Sequence, residues 1–273
     1  MTRFRGTLVH VVLGLAVLLS LFPFYWTVVM ATNTTRDVFA DPPTFIPGTH
    51  LIDNVNTVLA NVDLLAPLVN TILVASATTA LVLFLDTLAA FTFAKYEFPG
   101  RRVMFGLLLG LFMVPAQLSL IPQFVIMSEL GWVGSLKALV IPAAANAFGI
   151  FWMRQYIIGA VPDELLEAAR LDGAGFFRIY WSVVLPIVRP GLAFLGIYTF
   201  IAAWNDYVWP LIVLLDPNKV TLQVALSQLN VGQRQDYSVL MAGALIGIVP
   251  LIAVFTLFAR GFVSDATKGA IRG

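Results

Sequence analysis

The sequence contains no cysteine. That excludes disulfides, thiolate metal sites and cysteine nucleophiles, while leaving the redox compartment open. Histidine is nearly as scarce: only His10 and His50 are present, at the edge of an apolar run and in a polar stretch. An intramembrane enzyme working through imidazole has no candidate nucleophile beside either. Charge is also short. The 16 Lys/Arg and 15 Asp/Glu make 11% of 273 residues, where a soluble domain carries about 25%. A net charge of +1 gives no polyanion-binding signal, so no nucleic-acid partner is expected. Finally, no Gly-x-x-x-x-Gly-Lys-Ser/Thr loop occurs, and the chain therefore lacks the usual phosphate cradle.

What the sequence has in abundance is apolar surface. Hydrophobic residues reach 59% and the mean hydropathy is +0.89, more than a water-soluble globule of this size can hide. The fold class is an all-α integral membrane protein. A bilayer core about 30 Å thick needs about 20 apolar helical residues. Six stretches have that length, at 8–31, 68–94, 103–127, 136–157, 190–215 and 239–263. We expect six transmembrane helices in a single membrane domain covering 1–273. The first run follows Arg3 and Arg5 like a signal peptide. It is too long for such a segment and ends in Phe22, Phe24, Tyr25 and Trp26, so it reads as a retained helix.

Basic residues set the orientation. Arg3, Arg5, Lys95, Arg101, Arg102, Arg154, Arg170, Arg178, Arg189, Arg260, Lys268 and Arg272 fall on one side. Only Arg36, Lys137, Lys219 and Arg234 fall on the other. The positive-inside rule puts both termini in the cytoplasm.

Two outer segments are long. In 32–67, Leu51, Val55, Val58 and Val62 recur at helical spacing between Asp53, Asn54, Asn56, Asn61 and Asp63. This predicts an amphipathic helix, either a lid on the bundle or part of a docking surface. The 216–238 loop is polar at its centre, with Ser227, Gln228, Asn230, Gln233, Arg234, Gln235 and Asp236.

Polar groups at membrane depth are functional candidates. Gln117, Asn146, Trp204, Asn205, Asp206 and Tyr207 supply amides, a carboxylate and flat rings, the chemistry that hydrogen-bonds sugar hydroxyls and covers C–H faces. The bland alternative for each is helix-to-helix hydrogen bonding. Asp86 lies inside the apolar run 83–88 and favours a structural contact with another helix. A rival reading makes Asp86 and Asp206 the proton sites of a secondary transporter, a class that usually carries a detectable two-fold repeat.

The cytoplasmic loop 158–189 is the most informative. Pro162 suits a first helical position. Asp163 and Glu164 meet the positive end of the helix dipole, and Gly173 suits the left-handed residue that ends a helix. Leu165, Ala168 and Ala169 share one face, and the two alanines permit close approach by another protein. A second short helix follows, with Phe176, Phe177, Tyr180, Trp181 and Val184 on an aromatic face and Leu185-Pro186 at its end.

At these residues the chain resembles a known family. Glu167-Ala168-Ala169, Asp172 and Gly173, ahead of Leu185-Pro186, resemble the "EAA" loop of bacterial ABC-importer permeases. FTFAKYEFPGRR (91–102), Trp204-Asn205-Asp206 with Trp209-Pro210-Leu211, and FVSDATKGAIRG (262–273) resemble segments of its carbohydrate-uptake branch. The nearest description is the second permease of a maltose-type importer. The tail departs from that pattern at Asp265-Ala266 and Ile271-Arg272, keeping its small, basic character.

The resemblance implies a type I ABC importer permease fold in a bacterial inner membrane, surrounded by membrane lipid. It implies that Glu164, Leu165, Glu167, Ala168, Ala169, Arg170, Asp172 and Gly173 form a coupling helix docked on a cytoplasmic ATPase dimer. This chain would hold no cofactor, with ATP and Mg bound by the ATPase. A second homologous permease and an extracytoplasmic solute-binding protein or lipoprotein would complete the machine. The cargo would be a sugar or a related polyol or glycerophosphodiester, and the 216–238 loop would correspond to the one that enters the binding protein.

Overall fold

A computed structural model describes the backbone of residues 2–230 and 236–269, and the side chains of 9–216, 218–229 and 236–256. The orientation markers Arg3, Arg5, Arg234, Arg260, Lys268 and Arg272, the polar Gln233 and Gln235, and the tail motif at 262–273 lie outside the described side chains. Every regular element among the described residues is helical. The chain forms two compact units, Met1–Leu64 with Val224–Leu251, and Leu65–Gln223 with Ile252–Gly273.

In the first unit, the helix Thr2–Thr32 exposes Leu18 and Leu19 along its length, as a lipid-facing helix does. Its C-terminal carbonyls have no partners within the helix, and asparagines supply them. Asn54 Nδ2 donates to the carbonyls of Ala31 at 2.9 Å and Asn33 at 3.0 Å. Asn33 Nδ2 donates to Val29 and Ile46, each at 2.9 Å. The amphipathic helix forms at Leu51–Asn61 and buries Val58, with Val62 just beyond it. Its faces differ from the expected ones: Leu51 is exposed, and Asn54 is buried because it caps the first helix. Thr35 Oγ1 donates to Asp236 Oδ1 at 2.7 Å, beside the start of the helix Tyr237–Gly269.

The second unit is built around the 31-residue helix Leu65–Lys95. Ala147–Ala160 and Arg189–Asn205 pack along it. Their shared core includes Val82, Phe91, Met153, Ile157, Tyr180 and Leu195.

Three stretches expected as uninterrupted helices are broken. The 103–127 stretch divides into Arg101–Phe112 and Ala116–Glu129, bent by 95°. Pro115 lacks an N–H and forces extended backbone before it, which explains the break. The 136–157 stretch keeps Lys137–Val140, then opens before Ala147–Ala160. Here Pro142 cannot donate to the Ala138 carbonyl, and the Trp209 indole takes that acceptor at 2.9 Å. The 190–215 stretch breaks at Asp206–Tyr207 between Arg189–Asn205 and Val208–Val213. Pro210 sits four residues after Asp206, where its ring excludes a continuous turn. Three helices are long and apolar enough to cross a membrane among the described residues, or up to five counting the bent pairs.

The segment 216–223 is folded, not slack. Asn70 Nδ2 donates to the Val220 carbonyl at 3.1 Å. Thr71 Oγ1 donates to Pro67 at 2.9 Å and accepts from Leu222 N at 2.8 Å.

Candidate functional site

The helix of the 158–189 loop spans Asp163–Leu171. Pro162 stands at the N-cap with ψ 143, one residue before the expected first helical position. Asp163 and Glu164 occupy the first turn and Arg170 the last, each complementing the helix dipole. The C-terminus closes with two interlocked bonds, Ala174 N to Ala169 O at 2.9 Å and Gly173 N to Arg170 O at 3.0 Å. This closure needs a left-handed residue, and Gly173 has φ +76°.

One side of this helix is anchored. Leu166 is buried in the core with Phe91 and Tyr180, and Ala169 packs against that core. Glu164, Leu165, Glu167, Ala168, Arg170, Asp172 and Gly173 are exposed. Leu171 is 89% exposed, an apolar side chain with no burial of its own. The outward stripe therefore runs through Leu165, Ala168 and Leu171, with Ala169 turned inward. Leu171 and the anchor Leu166 were missing from the expected set; an i, i+3 spacing alone does not say which leucine faces the core.

Both ends of this helix are tied to the end of Leu65–Lys95. Lys95 Nζ donates to the Val161 carbonyl at 2.6 Å and to Asp163 Oδ1 at 2.7 Å. Arg170 lies over the Tyr96 ring at 5.2 Å. Lys95 is nearly buried while Asp163 is largely exposed, so the carbonyl bond is the less screened of the two. Lys95→Met keeps the stem and removes both bonds. We expect this change to loosen the loop helix, read as about tenfold faster amide hydrogen exchange across Asp163–Leu171, equivalent to ~1.5 kcal/mol for a charge-assisted bond. An unchanged exchange rate in Lys95→Met would show that Lys95 does not anchor the helix.

The second aromatic helix also differs from expectation. It continues past Leu185-Pro186 to Ile187 through a wide i→i+5 turn at Tyr180–Val184, then bends by 82° into Arg189–Asn205. A wide turn of this kind accommodates a proline, which lacks an N–H donor. Its side chains divide between two faces: Phe176, Tyr180 and Val184 pack inward, while Phe177 and Trp181 are exposed.

The helix breaks frame a cavity of about 820 Å³. Gln117, Asn146 and Asp206 line it, each from one of the three breaks or its edge. Thr78 and Thr221 line it as well, and their buried hydroxyls have no partner among the described residues. The aromatic wall is Phe112, Phe148 and Tyr198, with Phe148 and Tyr198 centroids 4.6 Å apart. Trp204, Asn205 and Tyr207 do not line this cavity. Trp204 is buried against Phe200. Asn205 donates to the Ile201 carbonyl of its own helix at 2.9 Å and accepts from Gln223 Nε2 at 3.5 Å. Tyr207 is exposed. Asn146 has a second duty, since its Oδ1 accepts from Gly149 N at 2.8 Å and caps Ala147–Ala160. The two threonines were not among the expected residues, because threonine in an apolar run gives no sign of which face it occupies.

Asp86 does not line the cavity. It is fully buried, and its carboxylate accepts from Asn146 N at 3.1 Å, at the N-terminal end of Ala147–Ala160. The positive end of a helix dipole is a favourable site for a carboxylate. Among the described residues no group of side chains is arranged to hold a metal ion.

Comparison with known proteins gives a consistent result. The family described as "Binding-protein-dependent transport system inner membrane component" matches residues 1–267. The lactose transport system permease protein LacG of Rhizobium radiobacter is 34% identical over 252 residues, covering 92% of this chain and 91% of that protein. The sn-glycerol-3-phosphate transport system permease protein UgpE of Yersinia enterocolitica is 35% identical over 264 residues, covering 93% of each. A crystal structure of a bacterial ABC transporter involved in the import of the acidic polysaccharide alginate superposes with a TM-score of 0.81. It covers 95% of this chain and 97% of that chain at 26% identity.

Proposed function

Since the chain belongs to the binding-protein-dependent transport system inner membrane component family, a multi-pass permease subunit of an ABC importer, we propose that it forms half of a sugar pathway coupled through Asp163–Leu171. The whole chain acts as one permease domain with six spans and both termini in the cytoplasm. A second permease completes the pathway, an ATPase dimer binds ATP and Mg, and an external binding protein delivers cargo.

The observation that carries this reading is a single helix serving both sites. Leu65–Lys95 is tied at Lys95 to the exposed loop helix and lines the cavity with Val74 and Thr78. An α-helix rises 1.5 Å per residue, so Thr78 and Lys95 stand roughly 25 Å apart along one rigid rod. Motion of a docked ATPase at one end changes the cavity wall at the other. Binding of ATP shifts the population between inward- and outward-facing states by its preference for one of them.

The cavity also bears on cargo. Its lining carries one ionisable carboxylate, Asp206, and no Lys or Arg. A lining without Lys or Arg offers an anionic cargo no counter-charge. This half of the pathway therefore favours an uncharged sugar or polyol over a glycerophosphodiester, with Gln117 bonding hydroxyls and Tyr198 or Phe148 covering an apolar sugar face.

The test is reconstitution with both permeases, the ATPase and the binding protein. Loaded binding protein should stimulate ATP hydrolysis only in the complete complex. Gln117→Ala should lower transport of a neutral saccharide by about tenfold, the equivalent of one hydrogen bond of ~1.5 kcal/mol, with assembly unchanged. Full transport by Gln117→Ala would leave the cavity as packing space.

A further inference from the structure

A second polar pocket lies at the other end of Arg101–Phe112, where that helix leaves the loop after Lys95. It has a volume of about 350 Å³ and is lined by Glu97, Arg101, Arg102, Phe105, Gly106 and Arg154. Three guanidinium groups face one carboxylate. Arg101 and Arg154 both donate from Nε to the same carbonyl, Phe93 O, at 3.0 and 3.2 Å. Arg101 also pairs with Glu97, which is 90% exposed, so that neutralisation is screened by solvent. Arg154 stacks over the Phe105 ring at 4.3 Å, and Arg102 is exposed with no ion partner among the described residues. Two of these arginines open a helix whose first turn carries no acid. Cations are disfavoured at that positive end, and the pocket is left with an excess of positive charge.

The surroundings narrow what could neutralise it. An apolar groove of about 430 Å³ is lined by Leu85, Leu88, Phe93, Phe98 and Met104. Phe93 joins the two features: its carbonyl receives both arginines, and its ring lies 5.6 Å from that of Phe105. A cationic pocket at a membrane boundary, continued by an apolar groove along a spanning helix, matches a molecule with an anionic head and a hydrocarbon tail.

We propose that this pocket and groove bind one anionic glycerophospholipid, its phosphate among Arg102, Arg154 and Arg101 and one acyl chain along Leu85, Leu88 and Met104. The site rests on the orientation proposed above only for the leaflet, which is the cytoplasmic one. Planar guanidinium groups bind phosphate oxygens in a fork that ammonium cannot reproduce. The bound lipid would neutralise the cluster and brace the junction of the second and third spans beside the coupling helix.

The test uses the purified complete transporter, stripped of lipid in detergent and titrated with dioleoyl phosphatidylglycerol or dioleoyl phosphatidylcholine under native mass spectrometry. The wild type should prefer phosphatidylglycerol. Arg102→Gln, an exposed change that leaves the Phe93 contacts intact, should weaken that binding about fivefold, and Arg102→Gln with Arg154→Gln about 25-fold, since each basic residue near a lipid surface contributes ~1 kcal/mol. Phosphatidylcholine binding should not change. Equal affinity of the wild type for both lipids would overturn the proposal. Displacement of phosphatidylglycerol by inorganic phosphate alone would overturn it in favour of a soluble anion site. Retained lipid binding in Arg102→Gln with loss of the ATPase subunit would overturn it in favour of a protein-docking patch.

Discussion

Replacing Gly149 with valine is expected to destabilise the folded protein by about 2–6 kcal/mol. A Cβ at this position would overlap Asp86 Oδ2 and stand 3.0 Å from its carboxyl carbon. No rotamer of the new residue avoids that clash, because Cβ itself is the offending atom. Asp86 has little room to withdraw, being fully buried between Leu65–Lys95 and Ala147–Ala160. Overpacking alone typically costs about 1–3 kcal/mol. Pushing the carboxylate off Asn146 N adds about 1–3 kcal/mol for a buried group left unpaired. Together these should lower the melting temperature in detergent by roughly 10 °C at this chain length. Asp86→Ala combined with Gly149→Ala should recover part of the loss that Gly149→Ala shows alone, because neighbouring sites are not additive. A Gly149→Val protein that melts with the wild type would refute the close approach. Asp86→Asn keeps an oxygen acceptor for Asn146 N, so it should melt and transport much like the wild type. Full transport by Asp86→Asn also argues against proton coupling through this residue.

The same pair shows what sequence reading reaches and where it stops. An aspartate inside an apolar run signals a helix-to-helix contact, and that much was legible. Its partner was not. The partner is a backbone N–H exposed by the break before Ala147, and the break depends on Pro142 and Asn146 acting together. Proline content marked the loops, yet hydropathy windows ran straight across Pro115, Pro142 and Pro210, because a window averages polarity and carries no backbone geometry. The cavity exists because of those breaks. Gln117, Asn146 and Asp206, which line that cavity, stand out in the sequence as polar residues in apolar runs. Thr78 and Thr221 did not stand out, since threonine usually returns its hydroxyl to its own helix. The loop helix was the most readable element, because its caps, its dipole charges and its terminating glycine all point to one conformation. Lys95 was invisible as an anchor: it counted only as a positive charge on one side of the membrane.

Gly173→Leu separates the proposed coupling role of the loop helix from its stability. The residue has φ +76°, and a Cβ built there meets no atom of this chain within 4 Å. The intramolecular penalty is therefore the backbone term alone, about 1–2 kcal/mol for a side chain in the left-handed region. Leu166 in the core and the two ties to Lys95 and Tyr96 remain to hold the helix. The permease should fold, insert and purify with its homologous partner. What changes is the outward surface. Ala168, Leu171 and Gly173 present small or apolar groups where a docked ATPase would make close contact, and a leucine at 173 adds bulk that the chain itself does not occupy. Central, fully desolvated contacts of that kind carry about 2 kcal/mol or more each, so substrate-stimulated ATP hydrolysis should fall by a factor of roughly 30. Gly173→Asn is the control, because asparagine tolerates the left-handed region and is smaller; it should retain most of the activity. If Gly173→Leu assembles and transports at the wild-type rate, the exposed stripe does not dock the ATPase. If Asn and Leu are equally inactive while both proteins remain folded, the requirement lies in the glycine's backbone freedom during the transport cycle and not in the space around it.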